Sequence, residues 1–245
     1  MRDASEGPAL SNTHGRAVPT VVVFTGGDSA DHDVVALVPD GAFVIAADSG
    51  LHTALDHHID VDLAVGDFDS VSPDALDTAA ASGTRLERHP TAKSETDLEL
   101  ALDRAVERSP DDIVVIGGHG GRLDHFLANA SLLASDRYRS ARVKAHWDRA
   151  RVYVVRDVAE LHGQVGELLT LLPAHGPAHG VTTNGLLYAL HDATLDSGTT
   201  RGVSNQFLEP LAGVRLDRGV LLAIASGEMF APTDQSLIDR SRSTR

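Results

Sequence analysis

The feature that most constrains the fold of this chain is a pattern repeated through its first half: short apolar runs that end at glycine or aspartate. The runs cover residues 21–24, 43–47, 63–65 and 113–116. Apolar runs of this length, rich in β-branched residues and bounded by turn-forming residues, predict buried strands. Two further segments, 95–108 and 123–135, carry apolar residues at helical spacing. Buried strands combined with helices predict an α/β domain built on a parallel sheet.

The second half of the chain has a different pattern, with no strong helical period after Ala150. Its short apolar runs are separated by Gly, Pro, Asn and Asp, and they cover residues 152–155, 168–172 and 220–225. Short strands with frequent turns predict an antiparallel β-sandwich or barrel. We therefore expect an α/β domain over residues 19–147, followed by an all-β domain over residues 148–231.

The two ends of the chain, residues 1–18 and 232–245, are polar and aperiodic, which predicts a disordered N-terminal tail and a flexible C-terminal tail. The N-terminal segment lacks the apolar core of a secretory signal. No apolar run approaches the ~20 residues that cross a bilayer, and cysteine is absent. We therefore expect a cytoplasmic protein without membrane association. The formal net charge of −14 argues against nucleic-acid binding, because such binding relies on Lys and Arg to neutralise phosphates.

Carboxylates follow several predicted strands, at the edge where ligands bind in open parallel sheets. Asp48, Asp67 and Asp69 come after such strands, and Asp124 follows a glycine-rich loop. Each of them alone is about equally well explained as a turn former or a helix cap. Several carboxylates on one edge of the sheet are harder to explain by turn chemistry, because clustered carboxylates repel one another unless a cation compensates.

The segment 66–70 (GDFDS) carries the clearest metal-binding pattern. In an extended segment alternate residues share a face, so we expect Asp67 and Asp69 to point the same way while Phe68 packs inward. Two hard oxygen donors on one side suit Mg²⁺, which typically takes one or two carboxylates and keeps its other positions for water and phosphate. Ser70 has an alternative role as the cap of the helix that follows.

A helix start is the simple interpretation of residues 93–99, with Ser94 as the cap and acidic residues in the first turn. That interpretation does not require Lys93 or the pair formed by Thr96 and Asp97. A position in the first turn would let Asp97 reach a metal held by the two aspartates of the preceding motif.

The glycine-rich loop 117–121 lies between a predicted strand and a predicted helix, so its backbone N–H groups are available to anions at a helix N-terminus. It matches neither of the common nucleotide-binding glycine motifs. Arg122 adds a bidentate phosphate donor, and Asp124 adds an acceptor for a hydroxyl or a base edge. His119 and His125 have no second histidine at metal spacing, and we expect them at the surface.

Together these segments resemble the thiamin pyrophosphokinase family over residues 21–227. The resemblance rests on the order and spacing of residues 48–50, 66–70, 93–99, 120–125, 185–190 and 202–205. It implies an N-terminal α/β domain, a C-terminal β-sandwich and a homodimer with composite active sites. It also implies the reaction, in which the pyrophosphoryl group of ATP passes to the hydroxyl of thiamin to give thiamin diphosphate and AMP.

The resemblance also assigns roles to single residues. The implied Mg²⁺ ligands are Asp67, Asp69 and Asp97, which with Arg122 form the implied catalytic set. The implied ATP-site residues are Gly27, Asp48, Gly120, Gly121, Arg122 and Asp124. The residues implied near thiamin are Lys93, Thr96, Tyr188, Ser204 and Asn205. Three positions depart from the family pattern and affect the electrostatics of the pocket, since Asp, a basic residue and Glu are replaced by Ser94, Leu187 and Gln206 respectively.

Two other functions stay open on the sequence alone. One is a pyrophosphokinase for another hydroxymethyl heterocycle, such as a pterin, and the other is a non-catalytic nucleotide or thiamin sensor. The presence of all three implied metal carboxylates disfavours the sensor. For the kinase we expect in-line attack of the thiamin hydroxyl on the β-phosphorus, with catalysis that relies on positioning and electrostatics rather than on a dedicated base.

Overall fold

The computed structural model describes residues 20–28 and 36–229, so both predicted tails lie outside the described residues. The α/β region contains β1 (Thr20–Thr25), β2 (Phe43–Ala47), α1 (Gly50–Asp56), β3 (Leu63–Gly66), α2 (Pro73–Ala81), β4 (Arg85–Arg88), α3 (Asp97–Val106), β5 (Asp112–Ile116), α4 (Leu123–Leu133) and β6 (Arg142–Trp147). The strands that follow are β7 (Ala150–Val155), β8 (Val158–His162), β9 (Glu167–Pro173), β10 (Ala178–Asn184), β11 (Ala193–Leu195), β12 (Asn205–Gln206), β13 (Leu211–Arg215) and β14 (Leu221–Met229). No helix in the described ranges has the length and hydropathy needed to span a membrane.

Ten of the described strands form one continuous sheet, in the order β12-β9-β14-β7-β6-β5-β1-β2-β3-β4. Neighbouring strands are parallel from β4 to β6 and antiparallel from β6 onward. A second antiparallel sheet has the order β11-β10-β13-β8. The predicted fold class, a parallel α/β region followed by an antiparallel β-sandwich, is confirmed.

The change of pattern near residue 147 corresponds to a hairpin inside the large sheet. β6 and β7 are paired from Trp147–Ala150 to Lys144–Tyr153, so the sheet continues through this point. The residue after β6, Asp148, takes the turn with a φ of 53°. What changes here is the direction of pairing, because β7 runs antiparallel to the strands before it. The division into domains at this residue stays a prediction.

Four strands of the parallel region, β1, β2, β3 and β5, are buried on both faces, which explains their continuous apolar sequences. Val21 of β1 packs in a cluster with Leu98 of α3. Val22, the next residue, points to the opposite face and packs in a cluster with Leu51 of α1. A third cluster joins strands of the large sheet to strands of the small sheet and forms the core of the sandwich.

Both predicted helices are present, with shorter bounds, and they differ in how far their apolar faces are covered. The face of α3 that the helical spacing predicted is buried, and it consists of Leu98, Ala101, Leu102 and Ala105. On α4 the apolar spacing is the same, but Leu123 and Leu127 remain 69% and 58% exposed. The outer face of α4 is therefore not covered by the described residues of this chain.

Candidate active site

A cleft of about 510 Å³ opens at the carboxyl ends of the parallel strands. Because β3, β2, β1 and β5 are neighbours in the sheet, the loops that follow them meet at one edge. This edge is where an open parallel sheet binds its ligands. The predicted site residues that line the cleft are Gly27, Asp48, Asp67, Asp69, Thr96, Asp97, Gly120, Gly121 and Arg122.

Three carboxylates in the cleft, those of Asp48, Asp67 and Asp69, each offer an oxygen within 4.8 Å of the others. Asp48 is nearly buried, and its Oδ1 has no hydrogen-bond partner within the part of the chain that the structure describes. Burial raises the pKa of Asp48, and the charges of Asp97 and Asp67 raise it further. A buried carboxylate oxygen without a partner, beside two other carboxylates, fits a divalent cation such as Mg²⁺.

The turn that joins Asp67 to Asp69 is tighter than the extended segment predicted from the sequence. Phe68 is buried, as expected, but its φ of 62° lies in the left-handed region. The N–H of Asp69 donates to Oδ1 of Asp67 at 3.2 Å. The prediction of extended backbone was therefore wrong, although the two carboxylates do lie together. Ser70 does not cap the next helix, because its hydroxyl donates to Asp69 at 2.9 Å and Ser72 caps α2.

The start of α3 places Asp97 in the first helical turn, where it lines the cleft. The helix is capped by Thr96, whose hydroxyl accepts the N–H of Glu99 at 3.2 Å. The alternative with Ser94 as the cap was therefore wrong, because the first helical residue is Asp97. Thr96, predicted near thiamin, has a local structural role in addition to its place in the cleft.

Lys93 lies between two of the predicted metal ligands. Its Nζ is 2.7 Å from Oδ1 of Asp97 and 3.8 Å from Oδ2 of Asp67. The pKa of Asp67 lies below its usual value, mainly because the N–H of Asp69 donates to it, and Lys93 adds to the effect. Among the described residues, the group of three carboxylates with oxygens within 4.8 Å of one another thus contains Asp48, while Asp97 is paired with Lys93.

The glycine-rich loop after β5 packs closely on the loop after β1. At Gly27 a Cβ would lie only 2.3 Å from the carbonyl oxygen of His119, so this approach requires glycine. Gly120 and Gly121 have φ values of 77° and 58°, which favour glycine as well. At Gly120 and Gly121 the loop therefore presents backbone, rather than side chains, to whatever occupies this side of the cleft.

Arg122 and Asp124 pair with each other where α4 begins. Nε and Nη2 of Arg122 donate to the two oxygens of Asp124 at 3.1 and 2.6 Å. The guanidinium lowers the pKa of Asp124 to about 2. Arg122 lines the cleft, whereas Asp124 is not among its lining residues. A phosphate that engaged the guanidinium fork would have to exchange with Asp124.

The three predicted thiamin residues of the β-sandwich lie together but outside this cleft. Asn205 is buried, and its side chain is used inside the chain: Oδ1 accepts the N–H of Tyr188 at 2.9 Å, and Nδ2 donates to the carbonyl of Tyr188 at 2.8 Å. Ser204 precedes it with a φ of 60°. Tyr188 is 61% exposed. Asn205 thus holds the backbone that presents Tyr188 to the surface.

Two sequence models of one family match the chain on either side of the β6–β7 hairpin. The thiamin pyrophosphokinase catalytic domain matches residues 35–145, and the vitamin B1 binding domain of the same family matches residues 158–221. The chain belongs to the thiamin pyrophosphokinase family. The resemblance stated from the sequence motifs is therefore confirmed.

Relatives from several organisms agree with this membership. Thiamine pyrophosphokinase of Bacillus subtilis (strain 168) is 27% identical over 210 residues, which are 84% of this chain and 98% of that protein. A crystal structure of the Bacillus subtilis thiamine pyrophosphokinase covers 86% of this chain and 100% of its own, with a TM-score of 0.77. Thiamin pyrophosphokinase from Candida albicans, at 15% identity and a TM-score of 0.72 over 84% of this chain and 88% of its own, shows the shared fold.

Sequence reasoning missed some residues of the cleft in this family member. His119 and His125 were expected at the surface, and His125 is exposed, but the sequence did not indicate that both line the cleft. Nδ1 of His119 is buried without a hydrogen-bond partner among the described residues. Asn129 of α4 also lines the cleft, and it donates to the carbonyl of Gly118 at 3.0 Å. Its position one helical turn after His125 was the only signal in the sequence. That signal is weak, because polar residues at this spacing are common on exposed helices.

Proposed function

We propose that this protein transfers the pyrophosphoryl group of ATP to the hydroxyl of thiamin, giving thiamin diphosphate and AMP. The observation that carries the proposal is the meeting of Asp48, Asp67 and Asp69 with a glycine-rich loop at one cleft. The relatives support the choice of substrates, because they are thiamine pyrophosphokinases. The match to the Bacillus subtilis protein covers nearly its whole length.

The reaction makes one bond and breaks one. The hydroxyl oxygen of thiamin bonds to the β-phosphorus of ATP, while the bond from that phosphorus to the oxygen shared with the α-phosphorus breaks. AMP leaves with the electron pair, and the hydroxyl proton passes to solvent or to phosphate. Transfers of this kind depend mainly on positioning and electrostatic stabilisation.

The carboxylates of the cleft are suited to hold Mg²⁺, which when bound neutralises negative charge on phosphate oxygens. We propose Asp67 and Asp69 as ligands, as the sequence predicted, with Asp48 supplying the unpartnered buried oxygen. Asp97 remains a proposed ligand, and its carboxylate would have to separate from Lys93 to take that role.

The other side of the cleft is suited to bind phosphate. We propose that the backbone of Gly27, Gly120 and Gly121 and the guanidinium of Arg122 hold the phosphates of ATP. Before ATP binds, Asp124 orients Arg122, because the two side chains are paired through both carboxylate oxygens; a phosphate that takes the guanidinium fork would displace Asp124.

We propose a homodimer whose active sites combine residues of two copies. Two observations support it: the thiamin residues Tyr188, Ser204 and Asn205 do not line the cleft of their own chain, and Leu123 and Leu127 are exposed on α4, the helix whose His125 and Asn129 line the cleft. In such a dimer one copy would supply Lys93 and Thr96 to the thiamin site, and the other copy would supply the residues of the sandwich. A cytoplasmic location stays a prediction from the sequence.

The first prediction concerns Asp67, the ligand proposed at the centre of the carboxylate cluster. Asp67→Asn is expected to lower turnover by about 10²–10³-fold, because one charge that binds the cation is lost. The measurement is AMP formation from ATP and thiamin at saturating Mg²⁺. Asp77→Asn, an exposed aspartate of α2 outside the cleft, is the control and should leave turnover unchanged. Normal turnover of Asp67→Asn with an unchanged melting temperature would contradict the metal role.

The same assay separates the proposed function from its alternatives. AMP formation with thiamin, and none with a hydroxymethyl pterin, supports the proposal. The reverse preference would make the protein a pterin pyrophosphokinase. Thermal stabilisation by thiamin and ATP without release of AMP would make it a sensor.

A further inference from the structure

An exposed arginine at the end of β4 contacts the turn that carries Asp67 and Asp69. Nη1 of Arg88 donates to the carbonyl of Asp67 at 3.0 Å. The guanidinium carbon of Arg88 lies 5.0 Å from the centroid of the Phe68 ring, over its face. The strand register places Arg88 opposite Gly66, the residue immediately before the turn. One side chain thus contacts the residues on both sides of the peptide bond between Asp67 and Phe68.

This turn has a conformation that its sequence does not favour. Phe68 has a φ of 62°, a left-handed backbone that is unfavourable for a residue with a large side chain. The turn also holds the like charges of Asp67 and Asp69 close together. The burial of the Phe68 ring anchors the middle of the turn, and the contacts of Arg88 hold its outer side.

The peptide plane explains how Arg88 can act on the carboxylates without touching them. The carbonyl of Asp67 and the N–H of Phe68 belong to one rigid plane. The orientation of this plane sets ψ of Asp67 and φ of Phe68, and therefore the relative directions of the side chains of Asp67 and Asp69. A hydrogen bond to that carbonyl from the fixed end of a strand therefore restrains the geometry of both carboxylates.

We propose that Arg88 is a positioning residue, which holds the Asp67–Asp69 turn in the conformation that binds a divalent cation. The inference rests on the proposed function, because it takes these two aspartates as metal ligands. Residues outside the ligand shell that orient ligands commonly change metal affinity by about 10–100-fold when they are replaced.

Charge alone predicts the opposite effect. Arg88 is positive, so its removal leaves the neighbourhood of the carboxylates more negative, which by Coulomb attraction would tighten the binding of a cation. Weaker binding after removal of Arg88 can therefore be attributed to lost positioning, and the direction of the change distinguishes the two explanations.

The experiment measures Mn²⁺ binding to the full-length chain without nucleotide, from the free-ion signal in electron paramagnetic resonance. We expect Arg88→Ala to raise the Mn²⁺ Kd about tenfold. We expect the same of Arg88→Met, a variant that keeps an apolar side-chain stem. Arg88→Lys should lose less affinity, because its ammonium still has a donor for the carbonyl of Asp67. The control is Arg85→Ala, which should leave the Mn²⁺ Kd unchanged. Arg85 lies on the same strand, its side chain is 76% exposed, and its Nη2 is 3.5 Å from Oε2 of Glu87.

Equal or tighter Mn²⁺ binding by Arg88→Ala or Arg88→Met would overturn the inference. The Met variant decides the matter if the Ala variant does not fold, and melting curves of all variants establish which are folded. Asp67→Asn in the same titration tests the proposed metal site itself. If the wild-type chain binds Mn²⁺ no more tightly than Asp67→Asn, both the proposed metal site and the proposed role of Arg88 are wrong. If the wild type binds more tightly, the metal site is supported, and the Kd values of the Arg88 variants then test the role of Arg88.

Discussion

Asp48 shows at the scale of one residue how the site conflicts with the stability of the fold. Its carboxylate is buried, one oxygen has no hydrogen-bond partner among the described residues, and Asp67 and Asp97 add negative charge nearby. Burying a charge without compensation is unfavourable. The main chain holds the residue in place nevertheless, through a hydrogen bond from its N–H to the carbonyl of Val65 at 2.9 Å, although its φ of 44° lies in the less favourable left-handed region.

Replacing this carboxylate by its neutral isostere is expected to stabilise the metal-free protein. Asp48→Asn removes the buried charge at neutral pH, so we expect a rise in melting temperature of about 2–4 °C in the presence of a chelator, which corresponds to ~1 kcal/mol for a chain of this length. The same variant should lose most of its turnover. A fall in the melting temperature would show that Asp48 is stabilising as a carboxylate.

At the scale of elements, an ion pair between a buried glutamate and a partly buried arginine joins β9 to β7. Glu167 of β9 is buried and pairs with Arg151 of β7 at 2.7 Å. It also accepts the N–H groups of Gln164 at 2.9 Å and of Gly227 at 3.1 Å. Across the hairpin Arg151 is the register partner of His146. The positive charge that compensates Glu167 therefore lies next to a partly buried histidine.

This arrangement predicts a pH dependence of stability. Burial, together with the positive charges of Arg151 and Lys144, lowers the pKa of His146 to about 4 from its ordinary 6.5. The folded state therefore keeps His146 neutral, while the unfolded chain takes up a proton below pH 6.5. The free energy of unfolding should fall as the pH drops from about 6.5 toward 4, by at most ~1.4 kcal/mol per pH unit from this group.

Urea unfolding of wild type and His146→Gln at pH 7.5, 6 and 5 checks this expectation. The variant should lose less stability over this range than the wild type, because it has no group to protonate at this position. His191→Gln, which alters an exposed histidine, should follow the wild type. An identical pH dependence in wild type and His146→Gln would show that this histidine does not contribute.

At the scale of the whole molecule, one continuous sheet connects the cleft to the sandwich, but the residues proposed for thiamin remain divided. Lys93 contacts Asp67 and Asp97, which line the cleft, whereas Tyr188 is exposed on the sandwich. A composite site between two copies would bring them together. This arrangement can be tested without a structure of the dimer.

Two variants, inactive for different reasons, should restore activity when their subunits are mixed. Asp67→Asn damages the cleft and Tyr188→Ala damages the sandwich side of the proposed site. About half of randomly formed dimers contain one of each, and one of the two sites in such a dimer is intact. Co-expression should therefore yield about a quarter of wild-type activity.

The matched control combines two defects on the same side of the site. Co-expression of Asp67→Asn with Asp69→Asn should restore nothing, because every site then contains one damaged cleft. Activity of the Asp67→Asn and Tyr188→Ala mixture no greater than the sum of the separate variants would argue that each site lies within one chain.

The strands and helices near the cleft were predictable because their signals are local. Four apolar runs bounded by Gly or Asp became β1, β2, β3 and β5, and the helical spacing of residues 95–108 became α3. β4 was not predicted, since its sequence, Arg85–Arg88, is mostly charged. It is an edge strand, where charged residues are common, and its place in the sheet depends on pairing with β3.

The geometry of the site was only partly predictable. The sequence indicated that Asp67 and Asp69 lie together, but the reason offered, an extended backbone, was wrong, because Phe68 adopts a left-handed turn. A φ above zero at a phenylalanine is stabilised by burial of the ring and by the contacts of Arg88, which comes from a different strand. Local sequence carries no information on such a contact.

The sequence by itself determined the alternation of buried strands and helices, the change to antiparallel strands near residue 147, and the kinds of residues placed at the strand ends. These follow from hydrophobic periodicity and turn chemistry, which act over a few neighbouring residues. The tertiary structure alone decided that Asp48, rather than Asp97, joins Asp67 and Asp69 in a group with oxygens within 4.8 Å of one another. It also decided that Lys93 pairs with Asp97. Those relations depend on which strands are neighbours in the sheet, and strand order is set by packing across the whole molecule rather than by any one segment.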